Sequence, residues 1–438
     1  MKKYIFSLVF IVVFCCSKAN LLSDKDYVKL ADSLHKGGQI QDAITCYKKA
    51  LELNPRNIIA NLDLALEYFK TREYEISLQY FLTALKEQPN NFYMLRNTGI
   101  LMHKLGRFRE SINYFNKALQ VEPKHKSIHN RLAISYLGLG DVVQGYKHFD
   151  MYLEKDEKET PRLWDGRNVA GKKIYIWDTV GAGDIFCYIR HAKSLKEQGA
   201  TVVLGLRESM IPLVSSYKYV DEILPRWQKT TFDYYLHIHK MPRMAHKAGF
   251  KIARDTPYIF ADERLTKKWG VTLARDKKFK VGICWCANVY KNGAGVEVTN
   301  ERSIPLYYFY PLSKIKKVSL YSLQQVHGTQ QLEYMPKDFK IHVFDKDFDK
   351  NHGSFSDTAA VMKHLDLVIT ADTSIAHLAG ALGVPVWVIL PYVHDARWTI
   401  GNGKKQLYKD LRLFKQKKPG EWDFVMQEVA KELSLTVK

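Results

Sequence analysis

A 34-residue period constrains the first third of the chain more than any other feature. Pro55, Pro89 and Pro123 recur at that interval, as do Ala50, Ala84 and Ala118, and so does the aromatic column Tyr47, Phe81, Phe115 and Phe149. Small residues repeat in step at Ala31, Ala65, Gly99 and Ala133, and three positions on come Leu34, Tyr68, Met102 and Tyr136, on the same helical face. A small residue marks where two antiparallel helices touch closely. A proline after an ending such as KKALELNP or NKALQVEP stops the helix and sets the turn into the next one. Units of this kind bury their apolar faces only by stacking, so residues 24–159 are predicted to form an α-solenoid of four helix pairs. The last unit departs from the pattern. Gly145 stands where a small alanine or serine is usual, Tyr152 replaces the last alanine, and no proline follows, as expected of a terminal or docking repeat.

These columns resemble the tetratricopeptide repeat family. The resemblance implies a curved array whose concave groove takes a protein or a peptide. A second reading, in which the repeats only buttress the remainder of the chain, stays open.

Charge is distributed unevenly. Residues 24–159 hold 20 basic and 18 acidic side chains, whereas residues 160–438 hold 43 basic and 28 acidic, so most of the formal +20 lies in the second part. That part favours anionic partners such as phosphates, acidic glycans or a membrane surface, and no motif for specific nucleic-acid recognition accompanies the charge. A hydrophobic content of 46% argues against extensive disorder. Cys46, Cys187, Cys284 and Cys286 have neither the spacing of a disulfide framework nor a zinc-binding pair, and no metal is predicted. Residues 1–19 read as a signal-like apolar leader: Met1-Lys2-Lys3 is basic, Tyr4 to Cys16 is apolar, and Ser17-Lys18-Ala19 fits a cleavage site. Export after cleavage and tethering to a membrane are equally open.

After the charged hinge LEKDEKETPRLWDGRN the pattern turns to alternating strand and helix. KIYIWD (Lys173 to Asp178) is a short strand, Gly181-Ala182-Gly183-Asp184 a tight loop, Ile185 to Gln198 an amphipathic helix, and Thr201 to Leu206 a second strand. Ile211 to Tyr217 reads as a helix and Glu222 to Leu224 as a third strand. A second series of β-rich runs begins at Lys280: Val281 to Cys286, Val318 to Leu323, Ile341 to Phe344, Leu367 to Thr370 and Val384 to Leu390. The expected architecture is α-solenoid followed by α/β, with two Rossmann-like doubly wound domains, residues 168–275 and 276–438, facing a cleft.

The richest stretch is DLVITADTSIAHLAGALGVPVWVIL, Asp366 to Leu390. A strand ends at Thr370, and Asp372, Thr373 and Ser374 are candidates to start a helix that closes at Gly383 before Pro385. Free amides at such a start attract anions, and Thr373 and His377, four apart, share a face that can hold a diphosphate. Alternatively Thr373 caps the helix and His377 is a buried histidine.

This stretch, followed by DARW, LRLFKQ and PGEWDFV, resembles the VDTxxAHLAGALGxPVWVLLP, D-x-RW, RLFRQ and G-x-WDxV segments of bacterial proteins that join tetratricopeptide repeats to a transferase domain. That domain is similar to the heptosyltransferases (glycosyltransferase family 9) and, more remotely, to O-GlcNAc transferases. The resemblance runs from about Lys172 to Leu433 and implies a GT-B fold. It also implies a nucleoside-diphosphate sugar as donor substrate, no cofactor and no metal. Carried over, the donor-phosphate residues are Asp372, Thr373, Ser374 and His377. The loop GAGDIFCYIRH, with Gly181 and Gly183, matches GxGDxxQFxRY and gives Asp184 the part of a base; alternatively Asp184 is the N-cap of the following helix. KVGICWCANVYKN and ERSIPLYYFYPL match two further segments and make Lys291 and Arg302 candidates to neutralise the diphosphate, beside Arg397. Ala287 and Val289 depart from the family's glycine and proline, and GNGKKQLY replaces its SPWYP segment.

The function implied is inverting transfer of a hexosyl or heptosyl group to a hydroxyl of a glycan or protein, with Asp184 and His377 as catalytic residues and the repeats recruiting the acceptor or a partner. Isomerisation or hydrolysis of the donor, and a scaffold protein with an inactive transferase-like domain, are the alternatives. In the transferase scheme Asp184→Asn is expected to leave donor affinity nearly unchanged, and His377→Ala to weaken it. A cytoplasmic or inner-membrane location suits a nucleotide-sugar enzyme, whereas a cleaved leader implies export.

Overall fold

The computed structural model describes residues 22–153, 162–178, 181–250, 255–287, 290–291, 297–298, 301–398 and 407–437. The leader, the hinge from 154 to 161 and most of GNGKKQLY lie outside them. The chain divides after residue 155 into two compact units.

Among the described residues the first unit contains eight helices: α1 Asp24–Lys36, α2 Ile40–Leu53, α3 Ile58–Lys70, α4 Tyr74–Glu87, α5 Phe92–Lys104, α6 Phe108–Val121, α7 Lys126–Gly138 and α8 Val142–Leu153. Their starts are built locally. Ser23 and Asp26 form a reciprocal capping box at α1, and the side chains of Asn57 and Asn91 accept from Ala60 N and Met94 N. The 34-residue columns are the core. Ala31, Ala65 and Ala133 are fully buried, Ala31 in one apolar cluster with Tyr47 and Ala65 in another with Phe81 and Phe115. At Gly99 an added Cβ would come within 2.6 Å of the Phe115 ring, so this position in the small-residue column tolerates only glycine. Ser77 and Ser111, also one period apart, donate to the carbonyls of Ala65 and Gly99 and tie the second helix of each pair to the first.

Among the described residues the second unit contains two parallel sheets. The first has the order β3-β2-β1-β4, from β1 Lys173–Trp177, β2 Thr201–Leu206, β3 Glu222–Pro225 and β4 Tyr234–His237. The second has six strands in the order β12-β11-β10-β5-β8-β9, where β5 is Phe279–Cys284, β8 Val318–Ser322, β9 Ile341–His342, β10 Leu367–Ala371, β11 Val386–Leu390 and β12 Leu411–Lys415. A short hairpin pairs β6 Tyr290–Lys291 with β7 Glu297–Val298. The sequence order of the larger sheet reverses between β5 and β10, and that of the smaller between β1 and β4. Parallel sheets of this topology, wound in both directions, bind ligands beyond the carboxyl ends of the strands at such reversals.

Two departures from the sequence reading matter for the site. The helix expected over Ile185 to Gln198 is instead α9 Ala182–Tyr188, a single 3-10 turn over Ile189–His191, and a second short helix Ala192–Glu197. The break falls where Arg190 and His191 are buried. Strands β4 and β12 were not expected; each is short and only partly buried. Among the described residues no helix is long and apolar enough to cross a membrane.

Candidate functional site

The reversal points of the two sheets meet. After β10 the chain enters α10 Ser374–Leu382, with Thr373 as N-cap accepting from Ile375 N at 3.3 Å. After β1 it enters α9, whose N-cap is Gly181; Asp184 lies inside the first turn and is not the cap. The two helix starts abut at Gly183, where an added Cβ would lie 3.1 Å from His377 Cδ2 and 3.2 Å from Ser374 Cα. This close approach is the physical reason for glycine at 183. Gly181 has no comparable neighbour.

Arg397 spans the junction. Its Nη1 donates to Asp184 Oδ1 at 2.7 Å, its Nη2 donates to Asp395 Oδ2 at 3.0 Å, and its guanidinium lies over the Tyr188 ring. Burial works against the Asp395 carboxylate, yet Arg397 brings its pKa below the ordinary value. Asp395 still leaves 43% of its side chain open to water.

Asp372 is buried at the end of β10. Its Oδ2 lies 3.6 Å from Arg302 Nη1, and burial raises its pKa against the pull of Arg302 and Arg397. Thr373 Oγ1 is turned inward to Thr370 Oγ1 at 3.1 Å. Lys291 lies in β6, and its side chain is outside what the structure describes.

His377 is 2% exposed. Its Nδ1 is 2.9 Å from the Tyr408 hydroxyl and its ring stacks on Trp398 at 4.6 Å. Burial, then the fields of Arg397, Arg190 and Arg302, hold its pKa well below the usual value, so the imidazole is neutral near pH 7. Arg190 is buried as a brace: it donates to Leu407 O and to the Tyr258 hydroxyl, and lies between the Tyr258 and Tyr408 rings.

The junction therefore gathers Asp184, Arg397, Asp395, Arg302, Asp372, Ser374 and His377. Sequence reasoning did not find Asp395, Trp398, Tyr408 or Tyr258 as members. It also missed Asp178, fully buried just past β1, which accepts from Arg207 N and Nε and from Arg226 Nη1 and so ties together the ends of β1, β2 and β3. A lone aspartate after an apolar strand was the one available signal.

Tetratricopeptide repeat family models match residues 31–71, 62–108 and 99–159. The first unit is a tetratricopeptide repeat array. Protein FlbA of Caulobacter vibrioides is 20% identical over 333 residues, which cover 69% of this chain and 54% of FlbA, so the chain spans about half the length of that curated relative. The solved structures of MamA AMB-1 and MamA MSR-1 are each 23% identical and align with 36% of this chain. They are covered to 87% and 91%, with TM-scores of 0.32 and 0.31.

Proposed function

We propose that the second unit binds a nucleoside-diphosphate sugar at the junction of its sheets and transfers the sugar to a hydroxyl acceptor, while the repeat array recruits a protein partner or the acceptor. The supporting observation is the convergence of both sheet reversals on Arg397, with Arg302 and the start of α10 beside it. The diphosphate would take Arg397, Arg302 and the amide N–H of Ser374 at the start of α10, which supply positive potential where leaving-group charge develops. Asp184, released from Arg397, would accept the proton of the acceptor hydroxyl. Neutral His377 would act through packing and through Nε2. No metal enters this scheme. The test is a thermal-shift screen of nucleoside diphosphates and nucleotide sugars on the full chain, followed by assay of transfer to an added acceptor against simple donor breakdown. Absence of any shift at millimolar nucleotide would remove the reading.

One observation favours the alternative of a scaffold with an inactive transferase-like unit. Asp184 is occupied by Arg397, and His377 is sealed by Tyr408 and Trp398. Under that alternative, nucleotide binding is absent or leads to neither transfer nor breakdown.

A further inference from the structure

The carboxyl edge of the first sheet carries an aromatic surface that the diphosphate site does not use. Trp227, two residues past β3, is 63% exposed and has φ 74, a left-handed backbone that a tryptophan rarely adopts. The surrounding structure enforces it: Arg226 N bonds to Leu206 O at 2.5 Å and Arg226 Nη1 to the buried Asp178 at 3.0 Å, and the Arg226 guanidinium lies over the Trp227 ring. A large apolar ring held in water by a strained backbone and an ion pair to a buried aspartate calls for a ligand.

From Trp227 the rings lead toward Asp184. Trp177 lies edge-on to Trp227 at 5.3 Å, Trp177 and His237 are 5.0 Å apart, and His237 and His239 are 5.6 Å apart. His239 is open to water and lies in the 3-10 turn Ile238–Lys240, which packs against α9, the helix that carries Asp184. The tautomer of His237 follows from its partner. Trp177 Nε1 can only donate, and it donates to His237 Nδ1 at 2.5 Å, so neutral His237 carries its proton on Nε2 and offers a donor.

We propose that this edge is a subsite for an oligosaccharide acceptor, with a sugar ring distal to the reacting hydroxyl stacked on Trp227 and polar groups such as His237 Nε2–H reading its rim. This rests on the transferase reading above. A pyranose has an apolar C–H face and a hydroxyl rim, the complement of an indole flanked by fixed polar groups. Three ring contacts, from Trp227 through Trp177 and His237 to His239, separate Trp227 from the turn that packs on the helix of Asp184, so the ring on Trp227 is not the one that reacts and the acceptor extends over several sugars. A protein partner fits the edge less well: it would need about 800 Å² on each side, whereas the residues following Trp227, Gln228 and Lys229, are polar and exposed.

The test uses the full chain on an array of hexose, N-acetylhexosamine, deoxyhexose and uronic acid glycans running from mono- to hexasaccharide, with nucleoside-diphosphate binding measured in parallel by thermal shift. Retention is expected to rise with chain length. Trp227→Ala should lower affinity for the longer glycans about three- to tenfold, as expected for loss of one stacked ring, with Trp227→Phe intermediate and nucleotide binding unchanged in both. Folding of each variant is checked by circular dichroism. Equal retention of all chain lengths, or a Trp227→Ala profile identical to wild type, overturns the subsite. Nucleotide binding with no glycan retained overturns the subsite alone. Glycan retention lost in Trp227→Ala, with no nucleotide bound, overturns the donor reading and leaves a glycan-binding edge.

Discussion

Asp184→Asn is expected to tighten the binding of a nucleoside diphosphate while lowering turnover. In the structure Arg397 donates one charge-assisted hydrogen bond to Asp184 at 2.7 Å and another to Asp395 at 3.0 Å. A diphosphate that uses Arg397 competes with Asp184 for the same guanidinium nitrogen. A charge-assisted bond contributes roughly 1.5 to 3 kcal/mol. Two factors reduce that figure: the side chains of Arg397 and Asp184 are 21% and 25% exposed, and asparagine keeps an acceptor oxygen and loses only the charge. A net gain of about 1 kcal/mol, or roughly fivefold in affinity, remains after solvent screening. Turnover falls about 100- to 10,000-fold if the carboxylate is the base. Calorimetric titration of the wild type, Asp184→Asn, Arg397→Ala and the double variant checks the coupling: the gain in Asp184→Asn must vanish once Arg397 is absent. From sequence alone the expected change in donor affinity was nil. Unchanged or weaker binding in Asp184→Asn would refute the competition and with it the place of Arg397 in the diphosphate site.

Three further outcomes concern stability. His377→Ala removes a buried ring stacked on Trp398 and bonded to Tyr408, and should destabilise the second unit by roughly 2 to 4 kcal/mol; an unchanged denaturant midpoint would contradict the sealed environment. Gly99→Ala drives a methyl into the fully buried Phe115 ring and should destabilise the repeat unit by about 1 to 3 kcal/mol despite the better helix propensity of alanine, read from the urea midpoint, where a rise would remove the close-approach argument. The pH dependence has a definite sign: the folded pKa of His377 lies well below its ordinary value and that of His191 is about 3, both chiefly through burial. Their contribution is therefore complete above pH about 6.5 and is lost as pH falls toward the folded values, at about 1.4 kcal/mol per pH unit for each histidine; equal urea midpoints at neutral and mildly acid pH would count against it.

What was legible in the sequence was local or periodic. The repeat columns name the core of the first unit because a solenoid reuses one packing solution, so Ala31, Ala65 and Ala133 announce the same contact three times. Gly99 fits the column for a reason the sequence hides, the ring of Phe115 sixteen residues on. The central strands were readable as apolar runs because parallel strands are covered on both faces. Tyr234–His237 and Leu411–Lys415 were not, since edge strands are half wet and carry aromatic or basic residues that also suit loops.

The site divides along the same line. Thr373 as a helix cap follows from residue type and position. The state of each charged group does not, because it depends on partners far along the chain: Asp184 and Arg397 are 213 residues apart, Arg190 and Leu407 217 apart, and Trp177 and His237 60 apart. His377 shows how much this changes. Its four-residue spacing from Thr373 makes it a phosphate ligand on paper. Folding places Tyr408 on one nitrogen, Trp398 on one face and three arginines nearby, and the ring becomes neutral and buried. Arg397, one of three basic residues the sequence offered for the diphosphate, becomes the group on which both sheets converge. Arg397 is a cation between two carboxylates at the meeting point of two sheet reversals, and in the proposed scheme it would exchange one acid for an incoming anion. In the transferase scheme proposed above, that exchange would make the availability of Asp184 depend on occupancy of the anion site, and so would order the two substrates, donor before acceptor.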